Sequence, residues 1–248
     1  MSATERVAFF NGQFLPESQV RIPLRDDGFL HGDAVFDTAR TFHGRLFKLR
    51  EHLERLSRSL RYLRLDPGMS VEHFEEVTQE VVRRNLPLLG PNEDYWVTQR
   101  VTRGEPGQGP SVIVECRPLP LRQRARYFRD GIPVVTPSVR RTPPWAQSPQ
   151  AKTHNYLNLV LGDLEAKAQN PDAWAVLLDE DGNLAEGLGS NIFLVREGQL
   201  LTPRVRTVLP GVTRQTVLEL ARGLGLEARE QDVDLFDAYT AEEAFLTS

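Results

Sequence analysis

Three patterns in the first quarter of the chain constrain its fold more than any total does. In VAFFNGQFLP two apolar runs meet at Asn11-Gly12, a pair that accepts the left-handed backbone of a two-residue hairpin turn. VFDTARTFHGRLFKL repeats the arrangement, predicting a strand from Val35 to Phe42, a turn at His43-Gly44 and a short strand through Leu46 and Phe47. Leu53, Leu56, Leu60 and Leu63 then recur at three- and four-residue steps, which predicts a helix over 49–63 with one apolar face. Hairpin strands followed at once by an amphipathic helix are the parts of a mixed sheet-and-helix layer.

The rest of the chain continues in that manner. Ser70 is placed to cap a second helix with an apolar stripe of Phe74, Val77 and Val81, stopped by Pro87. YWVTQRVT and SVIVEC read as strands joined by the exposed loop RGEPGQGP. RPLPLRQR has two prolines and no apolar period, so the chain is expected to divide there. The expected parts are a small N-terminal domain over 1–117, a linker over 118–125 and a larger C-terminal domain over 126–248. In the second block strands are expected over 132–136, 174–178 and 191–195, the last two flanking DEDGNLAEGLGS. A Pro-rich loop, RRTPPWAQSPQ, precedes a helix over 155–169 whose stripe is read as Leu157, Val160, Leu161, Leu164 and Ala168. A helix over 212–222, a helical turn over 235–239 and a strand in EAFLT complete a two-domain α/β or α+β protein.

Composition excludes several classes of function. A formal charge of −4 over 248 residues gives no general pull toward nucleic acid or anionic membrane, and no apolar run spans a bilayer. The start, MSATERVAFF, is too polar for a secretory signal, and Cys116 is alone, so no internal disulfide forms. The five histidines are scattered without ligand spacing, so no metal site is expected. A soluble cytoplasmic protein is the expectation.

Chemistry enters through a bias. Of the 30 basic residues only Lys48, Lys152 and Lys167 are lysines. Arginine matches lysine as surface charge, but only a primary amine, once neutral, forms a Schiff base. Lys48 and Lys167 sit among charged neighbours on ordinary exposed faces. Lys152, in QAKTHNYLN just before a helix, is open to two readings, a solvated lysine or a reactive amine. VLPGVTRQTVLEL likewise offers either a plain helix start or, at Val212 and Thr213, free N–H groups and a hydroxyl that suit a phosphate. Glu186 in NLAEGLGS is either an exposed turn residue or a carboxylate aimed at a ligand nitrogen. Arg55 is either a solvent-facing ion pair on its helix or an anion ligand. His31 and His154 bring no recognisable Ser/His/Asp arrangement with them.

Taken in order, these pieces resemble the class IV pyridoxal-phosphate aminotransferases, the fold-type IV family of branched-chain and D-amino-acid aminotransferases and aminodeoxychorismate lyase. The resemblance runs through FFNGQFLPESQVRIPLRDDGFLHGDAVFDTAR, LFKLREHLERL, VTRG, AKTHNYLNLVLGDLEA, LAEGLGSNIFLV, LPGVTR and AEEAFLTS. It implies that Lys152 bonds the cofactor, pyridoxal 5'-phosphate, and later moves the substrate's α-proton. It further implies that Glu186 faces the pyridine nitrogen, Arg55 pairs with the phosphate, and Val212 and Thr213 donate to it. Leu209 would pack on the ring and Tyr156 would hydrogen-bond its phenolic oxygen. On the substrate side it implies His31, where relatives usually have tyrosine, with Phe36, Arg40, Arg100 and Arg103. Asp37 stands where a glutamate is common. VTRG is nearer the D-amino-acid enzymes, THNYLN nearer the branched-chain ones.

The implied activity is transamination between an amino acid of branched-chain or D type and a 2-oxo acid, by a homodimer. An aminodeoxychorismate lyase-type reaction on the same lysine, and a non-catalytic relative, remain the alternatives. Relatives normally continue past FLTS with a further phosphate and carboxylate loop, so the C-terminal domain is expected to be incomplete at Ser248.

Overall fold

A computed structural model describes residues 5–248; the first four, which open the stretch read above for a signal, lie outside the described residues. The chain forms two compact units. One runs to Arg129 and takes in Ala151–Asn155; the other comprises Asp130–Gln150 and Tyr156–Ser248.

The first unit is a six-stranded sheet with two long helices. Its elements are β1 (Val7–Phe10), β2 (Gln13–Pro16), α1 (Asp27–His31), β3 (Ala34–Phe42), β4 (Arg45–Leu46), α2 (Leu49–Tyr62), α3 (Val71–Asn85), β5 (Tyr95–Thr102), β6 (Ser111–Pro118) and α4 (Leu121–Asp130). The strand order is β2-β1-β6-β5-β3-β4. Both expected hairpins form: Asn11 and Gly12 take φ of 45° and 86°, His43 and Gly44 take 50° and 75°. Both residues of each turn are left-handed, which matches the twist of the flanking strands. Ser70 accepts from His73 N–H at the start of α3, as its position predicts. The leucines of α2 close with Phe74, Val77 and Val81 of α3 onto Val35, Ala39, Val97, Val101 and Val114 of the sheet, forming one core.

The stretch expected as a linker, 118–125, instead contains the first turn of α4, and the unit boundary falls at the end of that helix, between Arg129 and Asp130. LRQRARYFRD is made largely of residues that favour helix, with Pro120 immediately before it. No residue of α4 is buried, so there was no apolar period to read.

The second unit holds β7 (Val134–Val135), α5 (Leu157–Gln169), β8 (Trp174–Ala175), β9 (Glu186–Gly187), β10 (Ser190–Arg196), β11 (Gln199–Pro203), α6 (Val212–Gly223), β12 (Ala228–Gln231), α7 (Leu235–Thr240) and β13 (Glu243–Thr247). β12, β11, β10 and β13 lie side by side, with β9 also paired to β10; β7 and β8 form a separate parallel pair. The strands expected over 132–136 and 174–178 are thus two residues long, although Val176 N–H still reaches Val135 O.

The buried face of α5 is Leu159, Gly162 and Ala166, not the expected stripe; Leu157, Leu161 and Leu164 are exposed. Leucines lie all round this helix, so the period alone could not choose a side. Gly162 chose it. A Cβ there would stand 2.8 Å from Leu177 Cδ1, so only glycine lets the helix approach this closely. Among the described residues no helix is long and apolar enough to cross a membrane.

Candidate active site

In the first unit β3 sorts its residues by face. Val35 and Ala39 enter the core, and Asp37 lies between them on that face, fully buried. Phe36, Thr38 and Arg40 occupy the other face, paired in register with Arg100, Thr98 and Trp96 of β5. Asp37 binds Arg55 of α2 by two parallel bonds, Nε to Oδ2 and Nη2 to Oδ1, each 2.8 Å. His52 Nδ1 lies 2.7 Å from Oδ1. Burial alone would push the Asp37 carboxyl up. The Arg55 guanidinium, with hydrogen bonds from His52 and Arg55, more than offsets this and holds the group well below the usual carboxylate range. Arg55 is therefore no solvent-facing ion pair.

One turn further along α2, Ser59 donates to Arg55 O at 3.1 Å and accepts from Lys152 N–H at 3.0 Å. Lys152 O accepts from Phe36 N–H, and His154 N–H donates to Ala34 O, so residues 152–154 lie antiparallel along the start of β3. Lys152 is 9% exposed, with Nζ 4.6 Å from the centre of the Phe36 ring. The same ring has the Arg100 guanidinium at 5.6 Å and the His154 ring edge-on at 5.4 Å. Burial, then the Arg100 charge, pushes His154 down to about 4, so at neutral pH it is an uncharged imidazole; its Nε2 is buried with no hydrogen-bond partner among the described residues.

Arg100 and the other expected substrate residues have further partners of their own. Arg40 is stacked on Phe42 at 3.8 Å, with Asp94 3.9 Å away. His31 ends α1, largely exposed, 3.9 Å from Asp27. Arg100 Nη2 donates to Glu115 at 2.9 Å. Arg103 is engaged on three sides: Nε donates to Asp33, Nη2 to Asp33 and Leu63 O, and Nη1 to Arg64 O. Those carbonyls end α2, where a cation complements the helix dipole.

In the second unit Glu186 is 5% exposed. Its Oε1 accepts from Arg141 Nε at 2.9 Å and its Oε2 from Leu209 N–H at 3.0 Å. Gly187 must follow it, since a Cβ there would stand 2.5 Å from Ala175 O. Arg141 is itself oriented: its Nη1 approaches Asn158 Oδ1 to 3.5 Å, and the same oxygen accepts Thr142 N–H at 3.0 Å. Leu209 O accepts from Asn191 Nδ2 at 3.0 Å, which fixes the turn leading into α6. Gly211 precedes that helix with no side-chain cap, and an added Cβ would overlap Asn191 Oδ1. Val212 and Thr213 form the first turn, and Thr213 Oγ1 donates to Ser248 O at 3.0 Å. Tyr156 caps the start of α5 and packs against the core cluster of Leu159, Ala166, Ala175 and Leu177.

Two supporting groups were missed from sequence. Arg141 lies in a Pro-rich loop 45 residues from Glu186, and Asn191 is an ordinary strand residue; neither carries a local pattern.

The profile of the amino-transferase class IV family matches residues 34–248. A Methanocaldococcus jannaschii protein, whose name provisionally assigns it to the branched-chain-amino-acid aminotransferases, is 36% identical over 246 residues, 96% of this chain and 83% of its own. The D-alanine aminotransferase of Bacillus licheniformis is 29% identical over the same shares of the two chains. A branched-chain amino acid aminotransferase from T.th., solved with pyridoxamine 5'-phosphate, superposes with a TM-score of 0.89 at 28% identity, covering 99% of this chain and 82% of that one. A mixed sheet-and-helix fold of this kind defines the fold-type IV enzymes. The chain belongs to the class IV aminotransferases, enzymes that move an amino group between an amino acid and a 2-oxo acid with pyridoxal 5'-phosphate.

The residues present fit that cofactor. An aldehyde needs a primary amine, a pyridinium needs a carboxylate, and a phosphate dianion needs a cation and N–H donors. The first unit carries a buried primary amine at Lys152 and a buried guanidinium at Arg55, and the second carries a buried carboxylate at Glu186 and the uncapped start of α6.

Proposed function

We propose that Lys152 is the catalytic amine of this transaminase and that its donors are amino acids of the branched-chain or D type. What supports the first part best is the setting of Lys152. Its backbone is bound on both sides, to Ser59 of α2 and Phe36 of β3, and its amine lies on an aromatic face. A lysine that only solubilised the surface would need none of this. The branched-chain and D-alanine aminotransferases among its relatives support the donor class.

The bound cofactor supplies an electron sink for the charge left when a donor loses its α-proton. The protein's part is binding, orientation and proton movement. Arg55 would pair with the phosphate, and the first N–H groups of α6 and the Thr213 hydroxyl would donate to it. Glu186, its carboxylate aimed by Arg141 and Leu209 N–H, would accept a hydrogen bond from the protonated ring nitrogen. Leu209 would pack on the ring and Tyr156 would donate to its phenolic oxygen. Lys152 Nζ would take the proton from the donor's α-carbon and deliver it to C4′ of the cofactor, acting as base and then acid. Phe36, His31 and Arg40 shape the substrate side. We assign the substrate carboxylate to Arg100 in preference to Arg103, whose donors are engaged at Asp33 and the end of α2.

The exposed Leu157, Leu161 and Leu164 on one side of α5 support a homodimer, with twice the 28.1 kDa of one chain by light scattering. We place the enzyme in the cytoplasm, in keeping with its buried free thiol at Cys116.

The test is a panel of L- and D-amino acids mixed with the holoenzyme under absorbance. A donor of the proposed type bleaches the band of the lysine-bound cofactor, and a 2-oxo acid restores it. Bleaching by neither series, with pyruvate released from aminodeoxychorismate, would establish the lyase reaction in its place.

A further inference from the structure

Asp37 is buried on the core face of β3, between Val35 and Ala39. An isolated carboxylate there would strongly oppose folding. Four donors meet it. Oδ1 accepts from Thr38 N–H at 2.8 Å, His52 Nδ1 at 2.7 Å and Arg55 Nη2 at 2.8 Å; Oδ2 accepts from Arg55 Nε at 2.8 Å. Against an ionised carboxylate His52 Nδ1 carries the proton. Its 3.5 Å approach to Arg55 Nη2 therefore brings two donors together and is no hydrogen bond. The guanidinium is gripped along one edge, which fixes its plane as a single bond could not. Buried charge clusters of this kind are often no more stabilising than apolar side chains of equal volume. The arrangement calls for a role beyond stability.

Resting on the reading of Arg55 as the phosphate arginine, we infer that Asp37 and His52 are positioning residues for that contact. They hold the Arg55 guanidinium in the plane that meets the cofactor's 5'-phosphate, so affinity for the phosphate depends on two groups that do not touch it. His52 contributes by anchoring Oδ1 from the neighbouring position on α2, which prevents the carboxylate from turning with the arginine.

The experiment compares two ligands, pyridoxal 5'-phosphate and pyridoxal without the phosphate, titrated into the apo-protein by absorbance. The readout is the ratio of their affinities, which general loosening of the fold leaves unmoved. Asp37→Asn lowers the ratio about tenfold to a hundredfold, the range for removing an outer partner that orients a ligating group. His52→Leu removes one hydrogen bond of the four and lowers it about threefold to tenfold. Asp37→Glu, which restores the charge, recovers most of the ratio. Should Asp37→Asn fail to fold, His52→Leu and Asp37→Glu decide. An Arg55→Gln arm separates the two layers. If it collapses the ratio while the Asp37 and His52 variants leave it intact, the positioning role is overturned and the Arg55 reading stands. If Arg55→Gln itself leaves the ratio intact, both fall.

Discussion

Gly211→Ala tests how the turn before α6 is held. The backbone there, φ −61° and ψ 136°, is one that alanine adopts freely, so no strain comes from the main chain. The cost comes from space. The new Cβ overlaps Asn191 Oδ1 and stands 3.2 Å from Arg214 Cβ. Asn191 has little freedom to retreat, being 6% exposed and bonded to Leu209 O at 3.0 Å. Overpacking costs about 1–3 kcal/mol and the lost hydrogen bond about 0.5–1.5 kcal/mol. Alanine's stiffer unfolded chain returns about 0.4–1 kcal/mol. The net loss is on the order of 2–3 kcal/mol, a fall of about 4–12 °C in Tm for a chain of this size. The assay is thermal unfolding of four proteins: native, Gly211→Ala, Asn191→Ala and the double variant. In the Asn191→Ala background the overlapping oxygen is gone, and Gly211→Ala then costs less than about 1 kcal/mol. An equal cost in both backgrounds, or none in the native one, refutes the reasoning.

Two further outcomes follow from the first unit. An unfolded histidine takes its proton near its usual value, whereas His154 in the fold does so only at about 4, so between these values the unfolded chain holds more protons and stability falls as pH falls. Asp37 works in the same direction but in a lower window, its contribution being lost only as pH falls below the usual carboxylate range, so His154→Leu should flatten the acid-side decline above pH 4 by on the order of 2 kcal/mol in urea titrations; an unchanged slope refutes this. Arg103→Gln frees Asp33 and the end of α2, at about 1 kcal/mol given its partial exposure, with the donor KM unchanged. A raised KM at unchanged Tm would return Arg103 to the substrate.

What was legible in the sequence is what is local. The two hairpins, the leucine face of α2, the Ser70 cap and strand β5 each depend on residues within one turn or one strand of each other. Lys152 stood out because lysine is scarce here, and its significance came from motifs in order, not from its own neighbours. The same local reading failed where side chains give no period, as in α4, and where they give two, as in α5. It also could not supply the partner of a charge. Arg55 and Asp37 are 18 residues apart and Arg141 and Glu186 are 45 apart, distances that only the folded sheets close. Arg103 shows the converse, since a motif pointed to the substrate and the structure binds the same guanidinium to Asp33 and the end of a helix.

The central claim is that Lys152 carries the cofactor. Borohydride reduction of the holoenzyme followed by peptide mapping tests it most directly, because the chain offers only Lys48 and Lys167 as other lysines. The account predicts one pyridoxyl adduct, on the peptide containing Lys152, and none in Lys152→Ala. An adduct on either other lysine, or none with cofactor in excess, would contradict it.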